Sequence, residues 1–346
     1  MSSARRAVNI DLVKTIAIFC VVFIHAGGVY YAFPVGSFSW NSALFYGSLV
    51  RAGVPLFLMC SGALMLDPQK NTDIRRLYTH NIPRLLAAMF FWGLAYKVWH
   101  LAFGEGITVS GVFHAVKELL LFKQEFHFYY LHIILLVYAF LPVTRCFVAS
   151  APRSLIRYAL VLWFAFGILY PTVSCFWPFT LLGGMAPQYL INMTYASVGY
   201  GVLGRVLYES PPSGIRSGVC AAAGFAVVFG GTYALSMRDG CLNELFFSGM
   251  TVGTFLLAVG IYGLCIRCGQ TIGSRAARIV CYVSRASFCV YLTHMFVIYI
   301  LEGFGFYVAQ GVILVTVPLV SLVVIGVCLA VYAVLSRVPV LNKWIV

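Results

Sequence analysis

The stretch DLVKTIAIFCVVFIH at 11–25 is apolar except for Asp11, Lys14 and His25. In a helix, the spacing of Lys14 and His25 brings them within about 20° of the same face and separates them by about 16 Å along the axis. Ionisable groups in a membrane span cost roughly 2.5 to 3.5 kcal/mol on insertion scales, so they are candidate functional residues. The spacing predicts a polar stripe with a cation at one end and a titratable imidazole at the other. A snorkelling lysine and a packed histidine are the structural alternative.

Other polar side chains occur in apolar stretches at depths that match His25. Arg51 lies near the outer end of the second run, His127 and Tyr130 belong to FHFYYLHIILL, and His294 lies deep in SFCVYLTHMFV. A lone histidine in such a run is more often a packed structural residue. Several cationic or titratable groups at one depth instead indicate a cavity or an anionic ligand, because like charges repel there.

Three arginines surround the predicted start of the third apolar run. The segment DIRRLYTHNIPRLL at 73–86 contains Arg75, Arg76 and Arg84. Arginines on the inner side usually only determine topology. Guanidinium groups also bind phosphates in a bidentate manner. Three of them beside the Lys14 end of the polar stripe would therefore suit an anionic cytosolic ligand.

The composition identifies the class of protein. The chain is 62% hydrophobic and 10% charged, whereas soluble domains contain about 25% charged residues. A net charge of +13 alone would permit a nucleic-acid partner, but Lys and Arg here punctuate apolar runs instead of gathering on one face. We therefore predict an all-α, polytopic membrane protein in which residues 1–346 form a single domain.

Runs long enough to cross a ~30 Å hydrocarbon core predict about ten spans, at 10–30, 43–66, 82–103, 128–148, 155–173, 187–208, 217–237, 246–266, 286–302 and 310–335.

The distribution of basic residues predicts the orientation. An even number of spans places both termini on one side, and a cytoplasmic N-terminus assigns 18 of the 23 Lys and Arg residues to the inner side. This bias agrees with the positive-inside rule. No cleavable signal peptide is indicated, because the first apolar run is long and contains charges.

The cysteines and one outer loop lead to three further expectations. Cys175 and Cys241 fall in predicted outer loops, where a disulfide is possible, but two unpaired thiols are favoured. The CIRC segment at 265–268 has no second cysteine pair nearby, so no metal site is expected. Helical spacing of apolar residues in GVFHAVKELLLF, within the outer stretch 104–127, predicts an amphipathic helix at the membrane interface.

These motifs resemble those of the acyltransferase-3 family of bacterial inner-membrane enzymes. The first span of that family carries Arg or Lys, ten residues, and then His, as Lys14 and His25 do here. GVPLFLMCSGALML, FHFYYLHIILLVYAFLP, GYGVLG and SFCVYLTH resemble four further family motifs, in family order, up to about residue 295. The similarity is greatest to the short branch that includes the enterobacterial-common-antigen O-acetyltransferase. Tyr129 stands where the family often has Trp, a difference that bears on contacts with the acceptor.

The resemblance implies an O-acyltransferase of the bacterial inner membrane. Its donor would be cytosolic acyl-CoA, usually acetyl-CoA, and its acceptor a hydroxyl of an envelope glycan or lipid-linked sugar. His25 would act as a general base or as a transient acyl carrier, and the sequence does not separate these roles. The expected site residues are His25, Lys14 and Asp11 for catalysis, Arg75, Arg76 and Arg84 for acyl-CoA, and Arg51, His127, Tyr130 and His294 for the acceptor.

A transport or sensing module is the alternative function. The same fold also occurs fused to amino-acid racemases, for which a transport role is proposed. A transporter needs no acyl-CoA, so it would tolerate substitution of the inner arginines but not of the polar stripe. A purely structural scaffold would explain neither the stripe nor the converging histidines.

Overall fold

The computed structural model describes residues 3–68, 73–182 and 193–345. In these ranges the regular structure is helical and contains no β-strand. Helices are favoured because backbone groups inside a bilayer must form hydrogen bonds within the protein. The principal helices are α1 (Ser3–Ala26), α2 (Phe38–Leu49), α3 (Gly53–Met65), α4 (Ile82–His100), α5 (Val109–Leu120), α6 (Tyr129–Ser150), α7 (Arg153–Phe164), α8 (Met193–Glu209), α9 (Gly214–Asp239), α10 (Val252–Cys268), α11 (Ser274–Gly303), α12 (Ile313–Leu335) and α13 (Pro339–Trp344).

Nine helical segments in the described ranges are long and apolar enough to cross a membrane. The predicted run at 187–208 coincides largely with α8, which has 17 residues, and positions 187–192 lie outside the described residues. The short ninth prediction, 286–302, is part of the much longer helix α11. The all-α, polytopic fold is thus confirmed, with a span count close to the predicted ten.

The third span begins earlier than its apolar run indicated. A helical turn at Ile74–Arg76 and a π-helical turn at Leu77–Asn81 precede α4, so the span begins at Ile74 rather than near residue 82. Pro83 explains the wider turn, because proline lacks an N–H and its ring clashes with the carbonyl four residues earlier. All three inner arginines therefore lie on one continuous helical segment.

Helix α1 lies in the middle of the bundle, where it packs against α3, α10, α11 and α12. Val13 and Ile18 on this helix are completely buried. Two hydrogen bonds join α1 to α11: Thr15 Oγ1 donates to the Val280 carbonyl at 3.1 Å, and Ser284 Oγ donates to Asp11 Oδ1 at 2.6 Å. These hydrogen bonds fix the Lys14 end of α1 against α11.

The predicted outer amphipathic segment forms helix α5. The Thr108 side chain caps its first turn by accepting a hydrogen bond from the Gly111 N–H at 3.0 Å. Val112, Val116 and Leu120 are exposed to surroundings outside the protein. These exposed apolar side chains agree with a location at the membrane interface.

Helices α3 and α8 cross at glycines that permit close backbone contact. A methyl group at Gly62 would lie 1.8 Å from the Gly201 carbonyl oxygen, and one at Gly204 would lie 2.2 Å from the Met59 carbonyl oxygen. Small residues allow this approach in membrane bundles. The GYGVLG motif therefore has a packing role.

We expect Gly204→Leu to destabilise the bundle, because the new side chain must displace the α3 backbone. Overpacking of this kind costs typically about 1–3 kcal/mol. Thermal unfolding of the detergent-purified protein would measure the loss. Gly230→Leu in α9 is the matched control, since a methyl group there meets nothing within 4 Å. Equal melting temperatures for the two variants would contradict the close crossing.

The predicted orientation can be tested with single cysteines in a chain lacking its native thiols. Cysteines at Ser3 and Asn342 should react with an impermeant reagent only after the inner face is exposed. Ser110 in α5 is the control, because it lies in a predicted outer segment and should react in intact cells. Labelling of either terminus from outside would reverse the orientation.

Candidate functional site

A cavity of about 460 Å³, hereafter the inner cavity, lies beside Lys14 in the bundle. Its volume falls in the range of about 300–1,000 Å³ that is typical of ligand pockets. Among the described residues, the lining includes three cations and no carboxylate. These features favour an anionic ligand. The polar lining residues are Lys14, Ser61, Arg76, His80, Asn81, Arg84, Tyr130, Tyr138, Ser287 and Tyr291.

A second cavity of about 210 Å³, hereafter the outer cavity, contains His25. Arg51, from the break between α2 and α3, and His127, at the start of the fourth span, contribute to its wall. Helix α1 thus presents Lys14 to one cavity and His25 to the other. The polar stripe predicted from spacing therefore leads from the inner to the outer cavity.

Tyr291 separates the two cavities. Among the described residues, it alone lines both. Its hydroxyl donates a hydrogen bond to the His127 carbonyl, and its ring lies 5.6 Å from that of Tyr130, centroid to centroid. On α6, Tyr129 lines the outer cavity, whereas Tyr130 lines the inner one. The start of α6 and the middle of α11 therefore form a thin partition.

Three imidazoles meet on the outer side of this partition. The ring centroid of His294 lies 5.1 Å from that of His25 and 5.1 Å from that of His127, and the other two are 6.1 Å apart. His127 and His294 are completely buried. His25 is therefore a direct neighbour of two further imidazoles, those of His127 and His294, that are able to accept a proton.

The hydrogen bonds of His294 define its tautomer. Its Nδ1 lies 2.8 Å from the Tyr291 carbonyl oxygen and 3.2 Å from that of Val290. Since a carbonyl only accepts, we assign the hydrogen to Nδ1, which leaves the lone pair on Nε2. That Nε2 and both ring nitrogens of His127 have no partner among the described residues. The described part of the chain contains no group of three or more His, Cys, Asp or Glu residues arranged to hold a metal ion.

The inner arginines differ in position. Arg76 and Arg84 line the inner cavity, whereas Arg75 does not. Arg75 is exposed, and its backbone N–H donates to the Asp73 carboxylate at 2.9 Å. Of the three arginines expected to bind acyl-CoA, only two therefore lie on the wall of the cavity.

The remaining expected residues are also divided between locations. Asp11 lies outside both cavities, where its hydrogen bond to Ser284 positions α1. Tyr130, which the resemblance predicts to contact the acceptor, lines the inner cavity instead. His294 lies behind the outer cavity, against His25 and His127. Among the assigned acceptor residues, Arg51 and His127 lie directly on the outer wall.

An ion pair and a hydrogen bond connect the predicted outer loop to α4. Lys97 Nζ lies 2.6 Å from Glu118 Oε2, and His100 Nε2 lies 2.9 Å from Glu125 Oε1. The hydrogen bond from Lys97 lowers the pKa of Glu118, whereas burial raises the pKa of Glu125. Phe126, next to Glu125, places its ring centroid 5.4 Å from that of His25. The loop that precedes α6 is thereby held against the outer cavity.

The thiols do not contribute to either cavity. All eleven cysteines are free, and Cys175 and Cys241 are both exposed. The favoured expectation of two unpaired thiols agrees with this result. The disulfide considered from the sequence is not formed.

Several lining residues were missed from the sequence. His80 and Asn81 lie in the π-helical turn before α4 and line the inner cavity, and the Pro83 that widens this turn was the available signal. Tyr291 lies three positions before His294, a spacing that places both on one helix face. Tyr200 and Phe247, in contrast, reach the outer cavity from helices distant in the chain.

Comparison with known proteins identifies the family. No curated protein and no solved structure gives a significant match to the chain. A family model described as an acyltransferase domain matches residues 8–335, which include all of the residues that line the two cavities. The chain is therefore a member of the acyltransferase-3 family of multi-pass membrane proteins.

Proposed function

We propose that the protein is an O-acyltransferase that moves an acyl group, most simply acetyl, from cytosolic acyl-CoA to a hydroxyl of an envelope glycan or lipid-linked sugar. It would act in the bacterial inner membrane. The observation that carries the proposal is the meeting of a basic cavity and a histidine-containing cavity at Tyr291. Family membership supports acyl transfer, and this arrangement supports the choice of donor and acceptor sides.

The inner cavity has the chemistry required by acyl-CoA. Its Lys14, Arg76 and Arg84 side chains match the phosphates of the donor, and none of the described lining residues is a carboxylate that would oppose them. Arg84 and Arg76 supply planar guanidinium groups for bidentate phosphate contacts. Acyl-CoA contributes an activated thioester. The Lys14-to-His25 rise of about 16 Å is comparable to the length of an extended pantetheine arm, so a donor held at the inner side extends toward Tyr291.

The outer cavity has the chemistry required by a hydroxyl acceptor. A hydroxyl becomes a competent nucleophile when a base removes its proton, and His25 is the histidine that lines this cavity from α1. In the base mechanism, the hydroxyl proton passes to His25 as the hydroxyl oxygen bonds to the acyl carbon and the carbon–sulfur bond breaks. In the carrier mechanism, a ring nitrogen of His25 bonds to the acyl carbon as the carbon–sulfur bond breaks and CoA leaves as the thiolate. The hydroxyl oxygen then bonds to the acyl carbon as the nitrogen–carbon bond breaks, and the hydroxyl proton leaves to solvent. Both mechanisms require His25 next to the partition.

A reconstituted assay tests the function. The purified chain is incubated with isotopically labelled acetyl-CoA and lipid-linked oligosaccharides from a strain lacking the gene, and the products are analysed by mass spectrometry. We expect one added acetyl mass on the glycan, which base treatment removes as expected for an ester. Absence of transfer from acetyl-CoA and longer acyl-CoA donors, together with solute uptake by proteoliposomes, would favour the transport alternative instead.

A further inference from the structure

Arg51 is the one charged side chain among the described residues that line the outer cavity. It lies between the last residue of α2, Leu49, and the first of α3, Gly53. A cation at the C-terminal end of a helix interacts favourably with the helix dipole. The position of Arg51 alone therefore does not indicate a ligand.

The contacts of Arg51 leave most of its hydrogen-bonding capacity unused. Its Cζ lies 3.5 Å from the centroid of the Phe247 ring, and its Nη2 donates to the Tyr30 hydroxyl at 3.4 Å. No carboxylate in the described part of the chain lies within 4.0 Å of the guanidinium. Nε is buried without a partner. A guanidinium has five N–H donors, so the ring contact and the one hydrogen bond leave most of these donors available to a ligand.

A cation in a membrane span is costly unless a counter-charge, a polar network or an aromatic face compensates it. The Phe247 ring provides part of that compensation. An anion entering the outer cavity would provide the rest, and the planar guanidinium fork matches a phosphate or carboxylate. We propose that Arg51 binds an anionic group of the acceptor, either a sugar phosphate or a sugar carboxylate, while His25 faces the hydroxyl that is acylated.

This inference rests on the proposed acyl transfer and narrows the class of acceptor. The outer cavity, at about 210 Å³, is smaller than the range of about 300–1,000 Å³ usual for drug-sized ligands. We therefore infer that the anion and the reacting hydroxyl belong to one small unit of the acceptor. Neutral glycans of similar size would lack the contact with Arg51.

A binding experiment tests the anion site without any acyl transfer. The full chain with Arg76→Ala and Arg84→Ala serves as the parent, because these changes weaken anion binding in the inner cavity. Methyl phosphate and acetate are titrated at constant ionic strength while the melting temperature is followed. We expect one of them to stabilise the parent, and Arg51→Gln to weaken that binding about 10- to 100-fold. The anion that binds more tightly distinguishes phosphate from carboxylate recognition.

A transfer experiment compares the unaltered chain with chains that differ from it only at Arg51. Each protein is given three matched acceptors: methyl glucoside, methyl glucuronide and methyl glucoside 6-phosphate. We expect Arg51→Gln to lower the preference for an anionic over the neutral glycoside, measured as the ratio of kcat/KM values, about 10- to 100-fold. The loss should appear chiefly in KM. Arg51→Lys should keep part of the preference, because it retains the charge without the fork.

The outcomes separate the two proposals. Unchanged anion binding in Arg51→Gln, or no binding by the parent, would overturn the anion site. Equal losses of kcat for neutral and anionic glycosides would also overturn it, since they would assign Arg51 to stabilising the oxyanion. If anion binding depends on Arg51 but no acyl-CoA supports transfer to any acceptor, the anion site is supported and the proposed acyl transfer fails.

Discussion

Replacement of His25 by alanine is expected to lower acyl transfer by at least about 100-fold, because proton transfer by a positioned side chain contributes typically 10²- to 10⁴-fold. His25 lines the outer cavity, whereas the proposed phosphate-binding side chains line the inner one. Acyl-CoA affinity should therefore stay close to that of the unaltered protein. Transfer rates and equilibrium binding of a labelled acyl-CoA, measured on the same preparation, would test both expectations.

His132→Ala is the matched control for this change. It also removes one imidazole from a membrane-spanning helix, in this case α6. His132, however, lines neither cavity, and its ring faces Phe122 at a centroid distance of 6.2 Å. The control should keep most of the activity. A well-folded His25→Ala protein that acylates at nearly the rate of His132→Ala would exclude both the base and the carrier mechanism.

The double change Arg76→Ala and Arg84→Ala is expected to weaken acyl-CoA binding about 100-fold or more, because hydrogen bonds to charged groups contribute about 1.5–3 kcal/mol each. A remote phosphate is bound similarly in the ground state and the transition state. The loss should therefore raise KM and leave kcat nearly unchanged. Steady-state kinetics over a range of acyl-CoA concentrations would separate these two parameters.

Arg75→Ala provides the internal control. It removes the same type of side chain from the same helical segment, but Arg75 is exposed and does not line the inner cavity. Its KM for acyl-CoA should remain within a few-fold of the unaltered value. A larger effect of Arg75→Ala than of the double change would show that the donor binds outside the inner cavity.

The sequence predicted the membrane fold well because apolar length is a local property. A run of about 20 apolar residues is sufficient to identify a span, and most predicted runs coincide with the helices. The start of the third span at Ile74 was missed because Arg75 and Arg76 interrupt its hydropathy. The break at Arg51 between α2 and α3 was missed for the opposite reason, since apolar residues continue on both sides of it.

The sequence predicted only those features of the candidate site that the geometry of a single helix determines. Lys14 and His25 share α1, so helical geometry was sufficient to predict that they are in line. The locations of Arg75, Tyr130 and Asp11 relative to the two cavities depend on how several helices pack together. Residue spacing along one helix carries no information about that packing. Tyr291 separates the cavities because α11 packs against α1 while the Tyr291 side chain contacts the His127 carbonyl and the Tyr130 ring, and these contacts depend on the assembled bundle.

The thin partition at Tyr291 makes the membrane voltage part of the energetics of the proposed reaction. If water fills both cavities, most of the potential difference falls across this partition instead of across the ~30 Å hydrocarbon core. The hydroxyl proton is then released on the outer side, whereas the departing thiolate takes up a proton from the inner side. Each turnover moves one elementary charge through the field, which corresponds to about 2.3 kcal/mol per 100 mV. The proposed acylation across the partition would thus be electrogenic, whereas the same chemistry on one face of the membrane would not.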